Sequence, residues 1–193
     1  MNNKRYKDTR YPVRMIRDLR ELIYGSAQLF GNRGAFLVKD SPGGEYQPIS
    51  YIQMLDDMNS LGTSLLKRGF HGHKIAIIAE NRYEWVLSYF AVCCGVGILA
   101  PIEREQTAEG VRDLLVRSEA TAVIHSAKTE DLVEKALLGL DEGIQRIHMD
   151  LTDHEEETLS LSKLADEGRA LIEAGSRDYM DAHIDPEVMS LLL

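Results

Sequence analysis

The sequence predicts an α/β fold of three layers, α/β/α, built on a mostly parallel sheet. Short apolar runs rich in β-branched residues alternate with amphipathic segments about three helical turns long. This alternation is typical of strand–helix–strand units with right-handed crossovers. Internal repeats, low-complexity segments and interior linkers are absent from the sequence, so residues 1–193 are expected to form a single α/β subdomain.

Helix positions follow from apolar spacing and from capping residues. Ser50 is followed three residues later by Gln53, and Asn81 by Glu84, which is capping-box spacing in both cases. Thr107 is the expected N-cap of a later helix. The predicted helices span about 13–30, 50–69, 81–95, 107–118, 129–139 and 161–175.

Strands are predicted where short apolar runs lie between turn residues. The run KIAIIAE is short and rich in β-branched residues, so it is expected to be a central parallel strand. At the other end of the sequence, an Asp-Pro turn leads into an apolar run that resembles the first half of a buried strand. The predicted strands span 34–40, 45–50, 74–80, 98–103, 121–127, 144–150 and 183–193, and the acidic stretch 152–158 is predicted to be a loop.

Composition limits the class of protein. With 22 Lys and Arg against 31 Asp and Glu, the net charge of -9 argues against binding to nucleic acid. The apolar runs fall short of the roughly 20 residues that a membrane span needs, and the first residues do not resemble a secretory signal. Cys93 and Cys94 lie in an apolar stretch and are expected to be reduced core residues, which predicts a cytoplasmic location.

The first twenty residues carry a net positive charge, whereas the whole chain is negative. They contain seven basic residues and two Asp; the basic ones are Lys4, Arg5, Lys7, Arg10, Arg14, Arg17 and Arg20. We favour a solvated arm and helix face, while a peripheral membrane contact or an anion-binding patch stays open as the alternative.

Motifs that could carry chemistry are weak. Gly95 and Gly97 form a GxG, but it lies between a helix and a strand, so a tight turn is the better interpretation. His71 and His73 form an HxH pair in a turn, without an assignable third metal ligand. The acidic run 153–157 is interpreted as a solvated loop. P-loop and GxSxG motifs are absent, so the sequence predicts no catalytic, cofactor-binding or metal residue in this chain.

From Ile49 to Ser126, the order of motifs resembles the AMP-forming acyl-CoA synthetases of the adenylate-forming superfamily. The stretch ENRYEW at 80–85, followed by PIE at 101–103, is most similar to the long-chain fatty-acid branch. The resemblance implies the N-terminal subdomain of that fold. It also implies a parent ligase that converts a fatty acid and ATP to acyl-AMP and passes the acyl group to CoA.

Within the family, an Asp-Pro or Asp-Asp turn and an apolar strand lead into a phosphate loop. The resemblance therefore implies that the groups for ATP, Mg²⁺ and CoA lie beyond Leu193, and that this chain alone is inactive. It implies fatty acid and CoA as partners of the parent, together with the rest of the adenylation domain; a homodimer is a further option. Asn81, Glu84 and Trp85 are the tempting functional residues, but we expect two helix-capping residues and one core residue.

The sequence departs from the family pattern at three places. Gly72-His73-Lys74 replaces the usual Gly-Asp-Arg or Gly-Asp-Lys, Gly110 takes a helix position, and a charged triplet occupies 103–105. These departures are consistent with a divergent member that has a different substrate preference. Separately, a non-catalytic binding or oligomerisation module that keeps the fold without the ATP site is an alternative. An unrelated flavodoxin-like nucleotide-binding domain is another, although it would need a phosphate-binding loop that the best candidates lack.

Overall fold

The computed structural model describes residues 14–39, 41, 43–140 and 143–193. The strands are β1 (Gly34–Val38), β2 (Gln47–Ser50), β3 (Lys74–Ile78), β4 (Ile98–Pro101), β5 (Ala122–His125), β6 (Gln145–His148) and β7 (Thr158–Ser160). The helices are α1 (Leu19–Phe30), α2 (Tyr51–Lys67), α3 (Tyr83–Ala91), α4 (Ala108–Ser118), α5 (Glu130–Leu137), α6 (Leu161–Glu173) and α7 (Asp178–Asp181). A π-helical turn, Val92–Val96, joins α3 to β4.

The central sheet has the strand order β4–β3–β5–β6–β7, and every neighbouring pair in it is parallel. Alternate residues of β3 enter two different cores because successive side chains in a strand point to opposite faces. Ile75 and Ile77 pack with α1, α2, α3, α6 and α7, whereas Ala76 and Ile78 pack with α4 and α5. The sheet is thus covered on both faces, and the predicted three-layer α/β architecture is confirmed. Strands β1 and β2 form a separate antiparallel hairpin.

Helices α2 and α6 cross in close contact. A Cβ atom added to Gly168 of α6 would lie 1.8 Å from the carbonyl oxygen of Ser60 in α2. Any larger side chain would force the two helix backbones apart, so glycine is required by the packing rather than by its backbone angles.

Two of the predicted caps are confirmed. The hydroxyl of Ser50 accepts the amide of Gln53 at 3.1 Å, and the hydroxyl of Thr107 accepts the amide of Gly110 at 3.1 Å. Each bond satisfies one of the free amides at a helix start.

Two helices start at residues other than those predicted. α1 begins at Leu19 because the carboxylate of Asp18 caps it, accepting the Glu21 amide at 2.7 Å. The predicted start at Val13 lies outside the described residues. The Asn81 capping box is wrong: α3 begins at Tyr83, with Arg82 at the N-cap.

The predicted final strand, 183–193, is also wrong as a strand. Its Asp185–Pro186 part forms a turn, in which the Asp185 carboxylate accepts the Glu187 amide at 3.0 Å. Only one parallel bridge follows, between Leu191 and Leu99 of β4.

Two short elements went unpredicted, because three or four residues are too few for a hydrophobic period to show. These are β7, at the end of the predicted acidic loop, and α7. Tyr179 of α7 is fully buried, and its hydroxyl donates to the Ala91 carbonyl at 3.0 Å. Among the described residues, no helix combines the length and apolarity needed to cross a membrane.

Candidate functional site

The sheet order identifies one edge as the place to look for a ligand. From β3 the chain crosses to β4 on one side, and α4 then returns it to β5 on the other side of β3. The carboxyl ends of β3 and β5 therefore flank a topological switch point, where open α/β sheets usually bind ligands.

Glu80 fills this crevice from the β3 side. Its carboxylate accepts the Ser126 hydroxyl at 2.6 Å, and Lys128 forms an ion pair with it at 3.3 Å. Burial by itself would raise the pKa of Glu80, but the hydrogen bonds from Ser126 and Lys128 prevail and the pKa is lowered. Glu80 is thus ionised at neutral pH and links the loop after β3 to the loop after β5.

Asp150 follows β6 and lies in the same crevice, beside the backbone amide of Ala127. Its carboxylate accepts the backbone N–H of Ala127 at 2.8 Å and the guanidinium of Arg82 at 2.6 Å. Burial opposes ionisation, yet the Ala127 amide and Arg82 lower the pKa of Asp150. A carboxylate of the chain itself therefore sits where a loop amide could otherwise bind an anionic ligand.

The hydroxyl of Thr129 also fixes the loop after β5. The Thr129 hydroxyl donates to the Ile78 carbonyl at 2.7 Å, and the Ser126 amide donates to the Thr129 hydroxyl at 3.2 Å. Because the Ala127 amide and the hydroxyls of Ser126 and Thr129 already bond inside the chain, this crevice resembles a junction of three loops more than a phosphate cradle. No group of three or more His, Cys, Asp or Glu is placed to hold a metal ion in the described part of the chain.

The tempting residues 81, 84 and 85 do not form a site together. Asn81 is exposed, and the carboxylate of Glu84 is held by the Arg82 Nε at 2.6 Å, so it does not turn back to cap Asn81. Trp85 is half-buried and stacks on Tyr89, with ring centroids 5.8 Å apart. The two capping roles are wrong, while Trp85 does pack against the core.

The histidine pair and the glycine pair lie in two neighbouring turns, before β3 and before β4, which are joined by the Gly72 amide donating to the Val96 carbonyl. Gly95 has φ +136°, and a Cβ on Gly97 would lie 2.1 Å from the His73 carbonyl oxygen, so both glycines are needed to bring the chain into β4. His73 Nδ1 lies 2.8 Å from the Thr121 hydroxyl, and His71 is exposed. These contacts match the interpretation of both pairs as turn residues.

The remaining candidates are also structural. Burial raises the pKa of Cys93 to about 11 and that of Cys94 to about 12, so both thiols stay protonated. In the acidic loop, Asp153 accepts the His154 amide at 2.8 Å, and His154 Nε2 lies 3.0 Å from Glu167 of α6.

Sequence reasoning missed one buried pair, His125 and His148. These residues are paired across β5 and β6, and their rings meet edge to face at 4.8 Å. Both ring nitrogens of His125 lack a hydrogen-bond partner, whereas His148 Nδ1 accepts the amides of Asp150 and Leu151. Each histidine is the last residue of its strand and directly follows an isoleucine, and that shared position was the available signal.

The geometry defines an α/β domain with an open parallel sheet. The carboxylates of Glu80 and Asp150 occupy the crevice at its topological switch point. The chain belongs to the family of AMP-binding enzymes, whose model matches residues 25–188. The family expected from the sequence resemblance, the adenylate-forming CoA ligases, is thereby confirmed.

Similar proteins are CoA ligases of several kinds. Long-chain-fatty-acid–CoA ligase 5 of Mus musculus is 30% identical over 60% of this chain, which spans 18% of that protein. Crotonobetaine/carnitine–CoA ligase of Shigella flexneri is 24% identical over 70% of this chain, which spans 26% of that protein. The fold is shared with a benzoate CoA ligase from Burkholderia xenovorans LB400, with a TM-score of 0.64 at 17% identity over 77% of this chain and 28% of that one. The chain thus spans about a fifth to a quarter of the length of these curated relatives.

Proposed function

We propose that this chain is the N-terminal part of a ligase that activates a fatty acid with ATP and transfers it to CoA. The 30% identity to a long-chain-fatty-acid–CoA ligase, within a family match covering residues 25–188, carries the proposal. In the first step a carboxylate oxygen attacks the α-phosphate of ATP, giving acyl-AMP and pyrophosphate. In the second, the CoA thiol displaces AMP to give acyl-CoA.

A long-chain acyl group is the preferred substrate in this proposal. The motifs ENRYEW and PIE support it, together with the identity to the long-chain ligase. The crotonobetaine/carnitine ligase matches more of this chain at lower identity, so shorter and polar acyl groups are the competitors to test.

The role of this chain in that ligase is to support the remainder of the adenylation domain. The described residues at the switch point do not fit ATP and Mg²⁺. Asp150 already accepts the Ala127 amide there, and Glu80 already accepts the Ser126 hydroxyl. We therefore expect the 193-residue chain alone to lack ligase activity, and we place the ATP, Mg²⁺ and CoA sites in the rest of the ligase.

The decisive experiment reads the gene past the codon for Leu193 and expresses the protein that it encodes. Acyl-AMP formation is measured by pyrophosphate exchange into ATP with palmitate, octanoate, crotonobetaine and benzoate, and CoA transfer by thioester formation. The 193-residue chain and a heat-denatured sample serve as controls. We expect activity with palmitate in the longer protein and none in the chain alone.

Two results would contradict the proposal. Turnover by the chain alone would show that its residues do hold ATP. A stop codon after Leu193, with no activity, would favour the alternative of a non-catalytic binding or oligomerisation module. A cytoplasmic location and a peripheral membrane contact through the basic first twenty residues stay predictions.

A further inference from the structure

The loop after β6 carries Asp150 between two backbone anchors. On one side, the Met149 amide donates to the His125 carbonyl at 2.9 Å, which continues the pairing of β6 with β5. On the other side, the Leu151 carbonyl accepts the Ser160 hydroxyl at 2.6 Å. The turn between these anchors is only two residues long, so a single further contact is enough to fix it.

The ring of His148 supplies that contact by accepting both amides of the turn. His148 Nδ1 accepts the amide of Asp150 at 3.0 Å and that of Leu151 at 3.1 Å. A ring nitrogen accepts only while it carries no proton, so the neutral ring holds its proton on Nε2. Nε2 lies 3.9 Å from the carboxylate of Glu130, the first residue of α5. Protonation of Nδ1 would turn this acceptor into a donor and remove both bonds to the turn.

His125 lies beside this ring and has an unused acceptor. It pairs with His148 across β5 and β6, with the ring centroids 4.8 Å apart, and only 1% of its surface is exposed. Neither of its ring nitrogens has a hydrogen-bond partner among the described residues, although one of them carries a lone pair in the neutral ring. A proton that enters the pair can therefore be shared by the two rings, while the first proton opposes a second at this separation.

The surroundings of the pair combine a few charges with an apolar core. The charged groups that face it are Glu130 of α5, Asp150 of the loop after β6, and Arg146 of β6, which pairs with Glu134 of α5 at 3.6 Å. On the same face of the sheet, β3 and α4 contribute the apolar side chains Ala76, Ile78, Val111 and Leu115. Burial, and then the neighbouring His148, lowers the pKa of His125 from 6.5 to about 4, so His125 is neutral at pH 7.

We propose that His148 and His125 form a proton-operated latch on the crevice at the switch point. While His148 is neutral, Nδ1 fixes the backbone of Asp150, whose carboxylate then reaches the Ala127 amide at 2.8 Å and Arg82 at 2.6 Å. When the pair takes up a proton, Nδ1 no longer accepts, the turn is released, and the Ala127 amide becomes accessible to solvent. His148 is thus a positioning residue for the crevice, and this role does not rest on the proposed function.

Amide hydrogen exchange of the 193-residue chain, measured by NMR from about pH 7.5 to about pH 4, tests the latch. Rates are corrected for the intrinsic pH dependence of exchange and compared as protection factors. We expect the protection of the Asp150, Leu151 and Ala127 amides to fall about tenfold or more when the ring resonances report uptake of a proton. The Gly110 amide is the control, because the Thr107 hydroxyl accepts it in a similar way and does not titrate.

Variants with matched side-chain amides separate the latch from simple packing. His148→Asn places an oxygen near the position of Nδ1 and cannot titrate, so the turn should stay protected down to about pH 4. His148→Gln places its oxygen near the position of Nε2 instead, so the turn should be unprotected already at about pH 7.5. His125→Phe keeps a buried ring without nitrogens and should move the release to lower pH, because the shared proton loses its second site.

Four results would overturn the latch. They are a pair that stays unprotonated down to about pH 4, unchanged protection of Asp150 and Leu151 after protonation, loss of protection only together with Gly110, and equal profiles in His148→Asn and His148→Gln. The third would assign the change to global unfolding. An unchanged release pH in His125→Phe would overturn the sharing of the proton. None of these measurements involves ligase activity, so failure of the latch and failure of the proposed function are distinguishable.

Discussion

Replacing Arg20 with methionine should destabilise the chain, because this guanidinium joins elements that are distant in sequence. Arg20 lies in α1, and its Nη atoms donate to four backbone carbonyls at 2.5 to 3.3 Å. The acceptors are Cys94, Tyr179, Met180 and Ala182. The guanidinium thereby ties α1 to α7 and to the π-helical turn.

The expected loss is about 3 kcal/mol of unfolding free energy. A hydrogen bond with a charged partner contributes about 1.5–3 kcal/mol. The four bonds share two nitrogens and the side chain is only half-buried, so their contributions do not add fully. Methionine retains the apolar stem, which limits the loss to the guanidinium itself.

Urea unfolding followed by circular dichroism at pH 7 measures this loss. Arg17→Met is the matched control, because Arg17 is 81% exposed and, among the described residues, pairs only with Glu21 one turn away. An exposed pair of this kind contributes about 0.5 kcal/mol at most. Equal losses in the two variants, or a loss below about 1 kcal/mol in Arg20→Met, would refute the role given to the carbonyl cluster.

Three further predictions concern packing, pH and capping. Gly168→Ala should lower stability by about 3 kcal/mol in thermal unfolding, although alanine favours helices, because its Cβ would meet the Ser60 carbonyl; a raised melting temperature would contradict this. Burial, and then the neighbouring His148, lowers the pKa of His125 from 6.5 to about 4. The folded chain therefore resists protonation of His125, and its stability should fall by up to about 3 kcal/mol as pH drops from 6.5 to 4. His125→Leu should flatten that part of the urea-measured pH profile, and an unchanged slope would assign it to other groups. Thr107→Ala should cost about 1 kcal/mol in urea unfolding and Thr107→Ser much less, since serine keeps the cap; equal losses would argue against the cap.

The layers of the fold could be predicted because the strands and helices that form them are marked by apolar runs and capping residues in the sequence. β3 and β5 are continuous apolar runs, and Ser50 and Thr107 cap their helices as their spacing predicts. α7 escaped prediction because its fixed position depends on Tyr179, whose burial is a tertiary contact with α2 and the end of α3.

The roles of individual charged residues were harder to predict. Arg17 and Arg20 look alike in the sequence, yet one is solvated and the other binds buried carbonyls. Glu84 has capping-box spacing, but the Arg82 guanidinium competes for its carboxylate, and sequence spacing does not report that competition. The role of Asp150 also depends on the register of β6 against β5, because that register places its carboxylate beside the Ala127 amide.

Two edges of the same sheet have opposite character, and this contrast favours a supporting role over an independent binding module. At the carboxyl edge, Glu80 and Asp150 bond the donors of the loops after β3 and β5, so that edge keeps one shape without a ligand. At the β4 edge, Leu191 makes a single parallel bridge with Leu99, and the apolar side chains of Val188 and Met189 are exposed. A binding module would be expected to keep its ligand edge open and its side edge covered. The reverse arrangement agrees better with the proposed supporting role in a larger adenylation domain.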